Sequence, residues 1–257
     1  MKKGIVLVTA MILFSTGMAC AEVAIDADAT WVSKYIWRGF DILDDRAAFQ
    51  PSVNFDFGNG LSFNAWSSHA GSGRDTVNAE EWRYMLTYGN STFDGQAYAM
   101  DYAISWIYYD YPDMASNDAD MQEFNVAFSW PDLCPMGVVP SYTYIYMWSA
   151  EGNGLAAPTG GPIHVFGLNY DLAVAELPNP LSLGVAAVYN DGTGTSVDSD
   201  HPNGVDHDWS HILWGVSTSF DCGPGTLSPG VYYQTSMDDS VNPEDEFWCG
   251  ISYGVSF

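Results

Sequence analysis

From Val23 almost to the last residue, the side chains of this sequence alternate with a period of two. In the first run Val23, Ile25, Ala27, Ala29, Trp31, Ser33, Tyr35 and Trp37 share one parity, and Ala24, Asp26, Asp28, Thr30, Val32, Lys34, Ile36 and Arg38 share the other. Successive side chains of a strand point to opposite faces, so the pattern predicts strands with one apolar and one largely polar face. The second run pairs Phe49, Pro51, Val53, Phe55 and Phe57 against Gln50, Ser52, Asn54 and Asp56, and Gly58-Asn59-Gly60 follows it as a hairpin turn. The third sets Leu61, Phe63 and Ala65 against Ser62, Asn64 and Trp66.

The same test predicts further strands near 80–89, 96–109, 121–130, 138–148, 163–174, 181–190, 209–220, 227–237 and 246–257, about twelve in all. Connectors after even-numbered strands are mostly short, as at Gly89-Asn90-Ser91 and Leu177-Pro178-Asn179-Pro180, whereas those after odd strands are long and polar, as at His69 to Ala79 and Asp191 to Asp208. Short turns at one end and long loops at the other predict an all-β, antiparallel transmembrane β-barrel, an up-and-down meander. A strand protein can span hydrocarbon only by closing on itself, because every backbone N–H and C=O must be paired there. Closure puts the apolar parity outside and the polar parity in the lumen. Trp37, Trp106, Trp130 and Trp148 are then expected in interfacial girdles.

Two segments bear on destination. Lys2 and Lys3 precede an apolar stretch and then Ala19-Cys20-Ala21, the order of a secretory signal, so residues 1–21 are expected to be cleaved and 22–257 to form the barrel. Cys20 as a lipidated cysteine is disfavoured by Gly17, where a lipobox carries Leu. At the other end Phe247, Cys249, Ile251, Tyr253, Val255 and Phe257 alternate to a terminal aromatic. That ending resembles the signal read by the bacterial outer-membrane assembly machinery. The expected location is therefore the outer membrane, with its lipid and that machinery as partners.

Charge excludes other classes. The chain has 7 Lys and Arg against 32 Asp and Glu. It has no basic residue from Tyr84 to Phe257, which rules out a nucleic-acid partner needing clustered cations. Disorder is excluded by 47% hydrophobic residues despite the net charge of −25. Parity puts Lys34, Arg38 and Arg83 on the lumen face of the first wall, with inward carboxylates at Asp26, Asp28, Asp56, Glu81, Asp101, Glu123, Asp171 and Glu246. These are the candidate pore-lining residues. Two readings stand: a transverse field favouring small cationic solutes, or cations that pair with neighbouring acids and plug the lumen. For Arg38 a rim salt bridge to Asp41, Asp44 or Asp45 is favoured over a constriction contact, and Gly39 is expected to supply positive φ.

No catalytic, cofactor or metal site is predicted. His69, His164, His201, His207 and His211 lack a nucleophile motif beside them, and His207 with His211 fall on a strand, where an i,i+4 pair cannot chelate. The acidic sets Asp198, Asp200, Asp206, Asp208 and Asp238, Asp239, Glu244, Asp245, Glu246 match no calcium-loop spacing. Cys134 and Cys222 fall in short turns, and a bridge between them is disfavoured.

The stretch from Trp31 to Phe40, with Ser33, Tyr35, Arg38 and Gly39 in a Ser-x-Tyr-x-x-Arg-Gly pattern, is followed by Ala48-Phe49-Gln50 and by Gly60 to Trp66. This opening resembles the Gcw_chp family, the TorF-like porins. The resemblance implies an outer-membrane barrel with a pore for small solutes, and no particular substrate. The absence of basic residues after Arg83 departs from what an anion- or phosphate-selective channel needs. The functional expectation is a porin-like channel for passive diffusion of small solutes, weakly cation-preferring, and not an enzyme. The alternative is a non-conducting barrel whose acidic loops bind divalent cations or partners.

Overall fold

The computed structural model describes residues 23–72, 79–150, 160–194 and 204–257. The expected leader 1–21 and the residues Arg74, Asp198, Asp200 and His201 lie outside them.

Twelve strands span the wall: β1 Ala24–Val32, β2 Ala48–Asp56, β3 Leu61–Ala70, β4 Glu80–Thr92, β5 Met100–Asp110 and β6 Met121–Ser129. They continue as β7 Val139–Ser149, β8 Gly161–Leu172, β9 Leu181–Asp191, β10 His207–Ser217, β11 Gly225–Ser236 and β12 Glu246–Ser256. Lengths of 9 to 13 residues match the ~9–11 that a tilted strand needs to cross a bilayer. Every strand pairs antiparallel with its chain neighbour, and β1 pairs with β12 from Asp26↔Ser256 to Val32↔Gly250. The sheet is a closed up-and-down barrel and has no unpaired edge. Both chain ends share an end with the short turns, such as Phe57–Gly60, since Ala24 lies opposite Asp56. We call this the turn end, and the opposite one the loop end.

Register carries the parity argument around the barrel. Trp31↔Phe49, Phe55↔Phe63, Leu61↔Tyr88, Leu86↔Trp106 and Trp106↔Phe124 continue one outer face. Tyr146, Phe166, Trp214, Val231 and Ile251 extend it as exposed apolar side chains. An apolar crease of about 370 Å³ lies on this surface among Trp31, Leu181, Val216, Pro229, Val231 and Ile251.

Three expectations shift. Strand β1 ends at Val32, and Ser33 and Lys34 bend the chain, so the alternation does not run on to Arg38. Strand β4 runs through Gly89-Asn90-Ser91 to Thr92, and the turn forms at Phe93 (φ 62°) and Gly95 (φ 74°). Ladder pairing of Asn90 with Tyr102 and Ser91 with Asp101 outweighs the local turn preference there. Trp37 is not a girdle residue, because the bend after Val32 turns it into the lumen, edge-on to Tyr109 at 5.7 Å. Cys134, Cys222 and Cys249 are free thiols.

Candidate functional site: an inward hairpin across the lumen

The connector between β1 and β2 folds into the barrel. Its residues Ile36–Trp37 and Phe40–Asp41 pair as a small hairpin, closed by Arg38 (φ 50°) and Gly39 (φ 96°). Two consecutive positive φ values define a type I′ turn, the tight turn whose twist suits paired strands. Gly39 is required on a second count. A Cβ there would lie 2.7 Å from both His211 Nδ1 and Val241 Cγ1, so the tip is packed against β10 and the β11–β12 loop.

The hairpin reaches more than one wall. From β11, Gln234 Nε2 donates to the Gly39 carbonyl at 2.8 Å, and from the β11–β12 loop Asn242 Nδ2 donates to it at 3.3 Å. Arg38 Nη2 extends to Glu123 Oε2 on β6 at 2.6 Å. Glu123 is 0% exposed and also accepts from Tyr109 Oη at 2.6 Å and Asn125 Nδ2 at 2.8 Å. The favoured rim bridge for Arg38 is therefore corrected: the bend at Ser33-Lys34 aims it across the bore, while Asp44 pairs with Arg46 at 3.8 Å.

The other two predicted lumen cations are also paired. Arg83 Nε donates to Glu81 Oε1 at 2.5 Å, and its guanidinium also bonds the Tyr35 hydroxyl, which donates to Glu81 Oε2 at 3.1 Å. Ring centroids of Trp66 and Tyr109 lie 4.5 and 4.7 Å from the Arg83 carbon, with Trp37 at 5.3 Å and Tyr35 at 6.0 Å. Weakly hydrated and planar, a guanidinium suits such an aromatic enclosure. Lys34 Nζ bonds Glu246 Oε2 at 2.8 Å and also Asp45. Hydrogen bonding to Asp45, and then to Glu246, holds its pKa above the ordinary lysine value. The carboxylates of Asp41, Asp45 and Glu246 lie within 4.8 Å of one another, and the lysine ammonium supplies positive charge to two of them.

Around this hairpin the inward side chains Ile107, Tyr109, Met121, Ile145, Met147, Ile163 and Val188 form one buried cluster, against which Trp37 and Met85 pack. Tyr35, Leu43 and Ala48 form a second. The loop-end half of the lumen is thus occupied by side chains.

The turn-end half differs. Asp26, Asp28, Asp56, Asp101 and Asp171 all fall on the lumen parity, as do Asn54, Asn64, Thr87 and Ser105. Their bonds are to neutral donors: Ser256 to Asp26 at 2.6 Å, Ser52 to Asp28, the Gly58 amide to Asp56 at 2.8 Å, Ser91 to Asp101 at 2.5 Å and Ser182 to Asp171 at 2.7 Å. Among the described residues none of these five makes an ion pair.

All eight carboxylates and Arg83 fall on strand positions of the parity expected for the lumen, whereas Lys34 and Arg38 follow a strand that has already ended. Parity missed Tyr35, Trp37, Gly39, Tyr109 and Gln234 as partners. Only Arg38-Gly39 between two aromatics, a short turn signal at the expected end of the first strand, pointed to the hairpin. His207 bonds Asp191, and His211 contacts Ser210 at 2.9 Å.

Comparison with solved structures places this architecture among outer-membrane channels. An outer-membrane channel from Pseudomonas putida F1 is similar with a TM-score of 0.54 at 10% identity, over 91% of this chain and 95% of that one. The NanC porin aligns at 0.52 with 11% identity, over 90% and 98%. The KdgM porin in complex with disordered oligogalacturonate aligns at 0.51 with 9% identity, over 91% and 99%. The fold is that of outer-membrane porins. No protein-family model and no curated protein matches the chain, so the resemblance to the TorF-like porins rests on its motif residues.

Proposed function

We propose that this chain is an outer-membrane channel of the TorF-like kind, passing small solutes by diffusion with a weak preference for cations. The signal at residues 1–21 exports it, and the alternating strand ending in Phe257 presents it to the assembly machinery. The observation that carries the reading is the division of lumen charge. Among the described residues the five turn-end aspartates have no cation partner, whereas Lys34, Arg38 and Arg83 are each neutralised by a carboxylate. A low-dielectric wall lined by one sign of charge raises the local concentration of the opposite ion. The loop-end half, with its hairpin, forms the constriction, and Lys34, Arg38, Arg83, Glu81, Glu123 and Glu246 line it. The proposed path runs from that constriction past Asp26, Asp28, Asp56, Asp101 and Asp171.

The inward hairpin favours a second reading, a non-conducting barrel whose lumen is plugged. Planar-bilayer recording in asymmetric KCl separates the two. Single-channel steps with a reversal potential on the cation side support the channel. Anion selectivity refutes the charge argument, and silence from both the folded protein and a variant with 34–46 replaced by a short Gly-Ser linker refutes the channel itself.

A further inference from the structure

Ownership of the charges in the constriction is unequal. The carboxylates Glu81, Glu123 and Glu246 belong to β4, β6 and β12 of the wall, but of the cations opposite them only Arg83 does. Lys34 and Arg38 ride on the inward connector. With the hairpin in place, three wall carboxylates face three cations. With it withdrawn, three carboxylates face the single guanidinium of Arg83, which its bond to Glu81 already commits. Glu123 would then stand uncompensated in a confined site, and a buried charge without a partner is strongly disfavoured, whereas Glu246 would lose Lys34 together with the neighbouring carboxylates of Asp41 and Asp45. Withdrawal thus requires a replacement cation.

The wall also specifies which cation. Glu123 is flanked by Tyr109 Oη and Asn125 Nδ2, which donate to its oxygens, and Ile107, Met121 and Ile145 pack beside Tyr109. Such a pocket offers few oxygens to complete the shell of a potassium ion, whereas a planar, weakly hydrated guanidinium matches a carboxylate beside aromatic faces. Glu246, with Asn242 Nδ2 at 3.1 Å, holds an ammonium. We infer that the Lys34–Arg38 hairpin is a tethered stand-in for the solute: organic cations with guanidinium or primary ammonium heads displace Arg38 and Lys34 from Glu123 and Glu246, and are the solute class that opens the constriction. This deepens the channel reading and rests on it for transport, while the binding step stands apart from conductance.

The probe is agmatine, which carries both head groups. In equilibrium dialysis against the full-length folded protein, R38A is expected to bind agmatine about tenfold or more tightly than wild type, because the competing side chain no longer reduces the fraction of binding-competent protein. The R38A/E123Q variant is expected to lose that gain. In bilayers, agmatine is expected to lengthen open periods of wild type relative to KCl of equal ionic strength, and succinate to leave them unchanged. Equal agmatine affinity in wild type, R38A and R38A/E123Q overturns the inference even if the protein conducts. So does an equal response to succinate. If R38A does not fold, R38K replaces it, with tighter agmatine binding than wild type again expected and unchanged binding refuting. Agmatine binding with the predicted mutant pattern but no conductance from any variant would uphold the displacement step and refute transport.

Discussion

Replacing Arg38 by Ala is the sharpest perturbation of the hairpin. Glu123 is 0% exposed and takes three donors, of which only Arg38 carries charge. The variant leaves an ionised carboxylate with the Tyr109 hydroxyl and the Asn125 amide. Removing one partner of a buried pair costs about 3–5 kcal/mol. Neutralising both partners costs far less, since the amide introduced by Glu123→Gln would need only neutral hydrogen bonds worth about 1 kcal/mol each. A double-mutant cycle over Arg38→Ala and Glu123→Gln should therefore return a coupling of about 2–3 kcal/mol. The loss will be felt first by the hairpin, because the twelve-strand ladder stays intact when the connector undocks. Amide exchange at Ile42, whose N–H donates to the Tyr35 carbonyl at 3.0 Å, reports that event. In lipid vesicles, R38A should speed Ile42 exchange by about two orders of magnitude, the equivalent of about 3 kcal/mol, and leave mid-strand amides of β6 and β7 unchanged. Coupling below about 0.5 kcal/mol, or exchange at Ile42 within about twofold of wild type, would refute the claim that this pair docks the hairpin.

Gly39→Ala should undock the same hairpin without touching a charge: its φ of 96° lies outside the ordinary left-handed well and its Cβ would meet His211 and Val241 at 2.7 Å. The expected loss is at least about 1–2 kcal/mol, read as faster proteolysis within 33–47, and a variant as resistant as wild type would contradict the packing. Cys222 is exposed in the β10–β11 turn, at the same end as the chain termini. Outer-membrane barrels keep their short turns on the periplasmic side, so a membrane-impermeant maleimide should label it in cells only after the outer membrane is permeabilised, and labelling of intact cells would refute that orientation. Asp245 accepts from Tyr233 Oη at 2.6 Å and from the Ser236 amide at 2.8 Å, and the tyrosine bond, followed by the amide, lowers its pKa below the ordinary 3.8. A lowered folded value means that the contribution is present above 3.8 and disappears as pH falls through the lower value. The Ser236 amide resonance should shift in that acidic window and Asp245→Asn should abolish the step, whereas a shift near neutrality would exclude Asp245 as its origin.

The barrel was legible because membrane strands obey a strict local rule. A residue on the wrong parity would put charge into lipid, so Asp28, Glu81, Asp101 and Glu123 are expected inward from their neighbours alone. Boundaries were less legible, since ladder pairing across β4 and β5 extends strands through residues that prefer turns. The hairpin was misread for a related reason. Tyr35 and Trp37 continue the outer-face parity, and alternation looks the same whether apolar side chains meet lipid or pack inside against Arg83.

By itself, then, the sequence determined closure and strand number, because hydrocarbon leaves no unpaired backbone unpunished. Tertiary structure decided which cation meets which acid. Arg38 and Glu123 are 85 positions apart, and Lys34 and Glu246 are 212 apart. Such pairs exist only after the barrel has closed and the bend after Val32 has turned its connector inward, so no local pattern could encode them. The chain's few cations were visible from the start, but the pairing of Lys34, Arg38 and Arg83 with wall carboxylates required the fold.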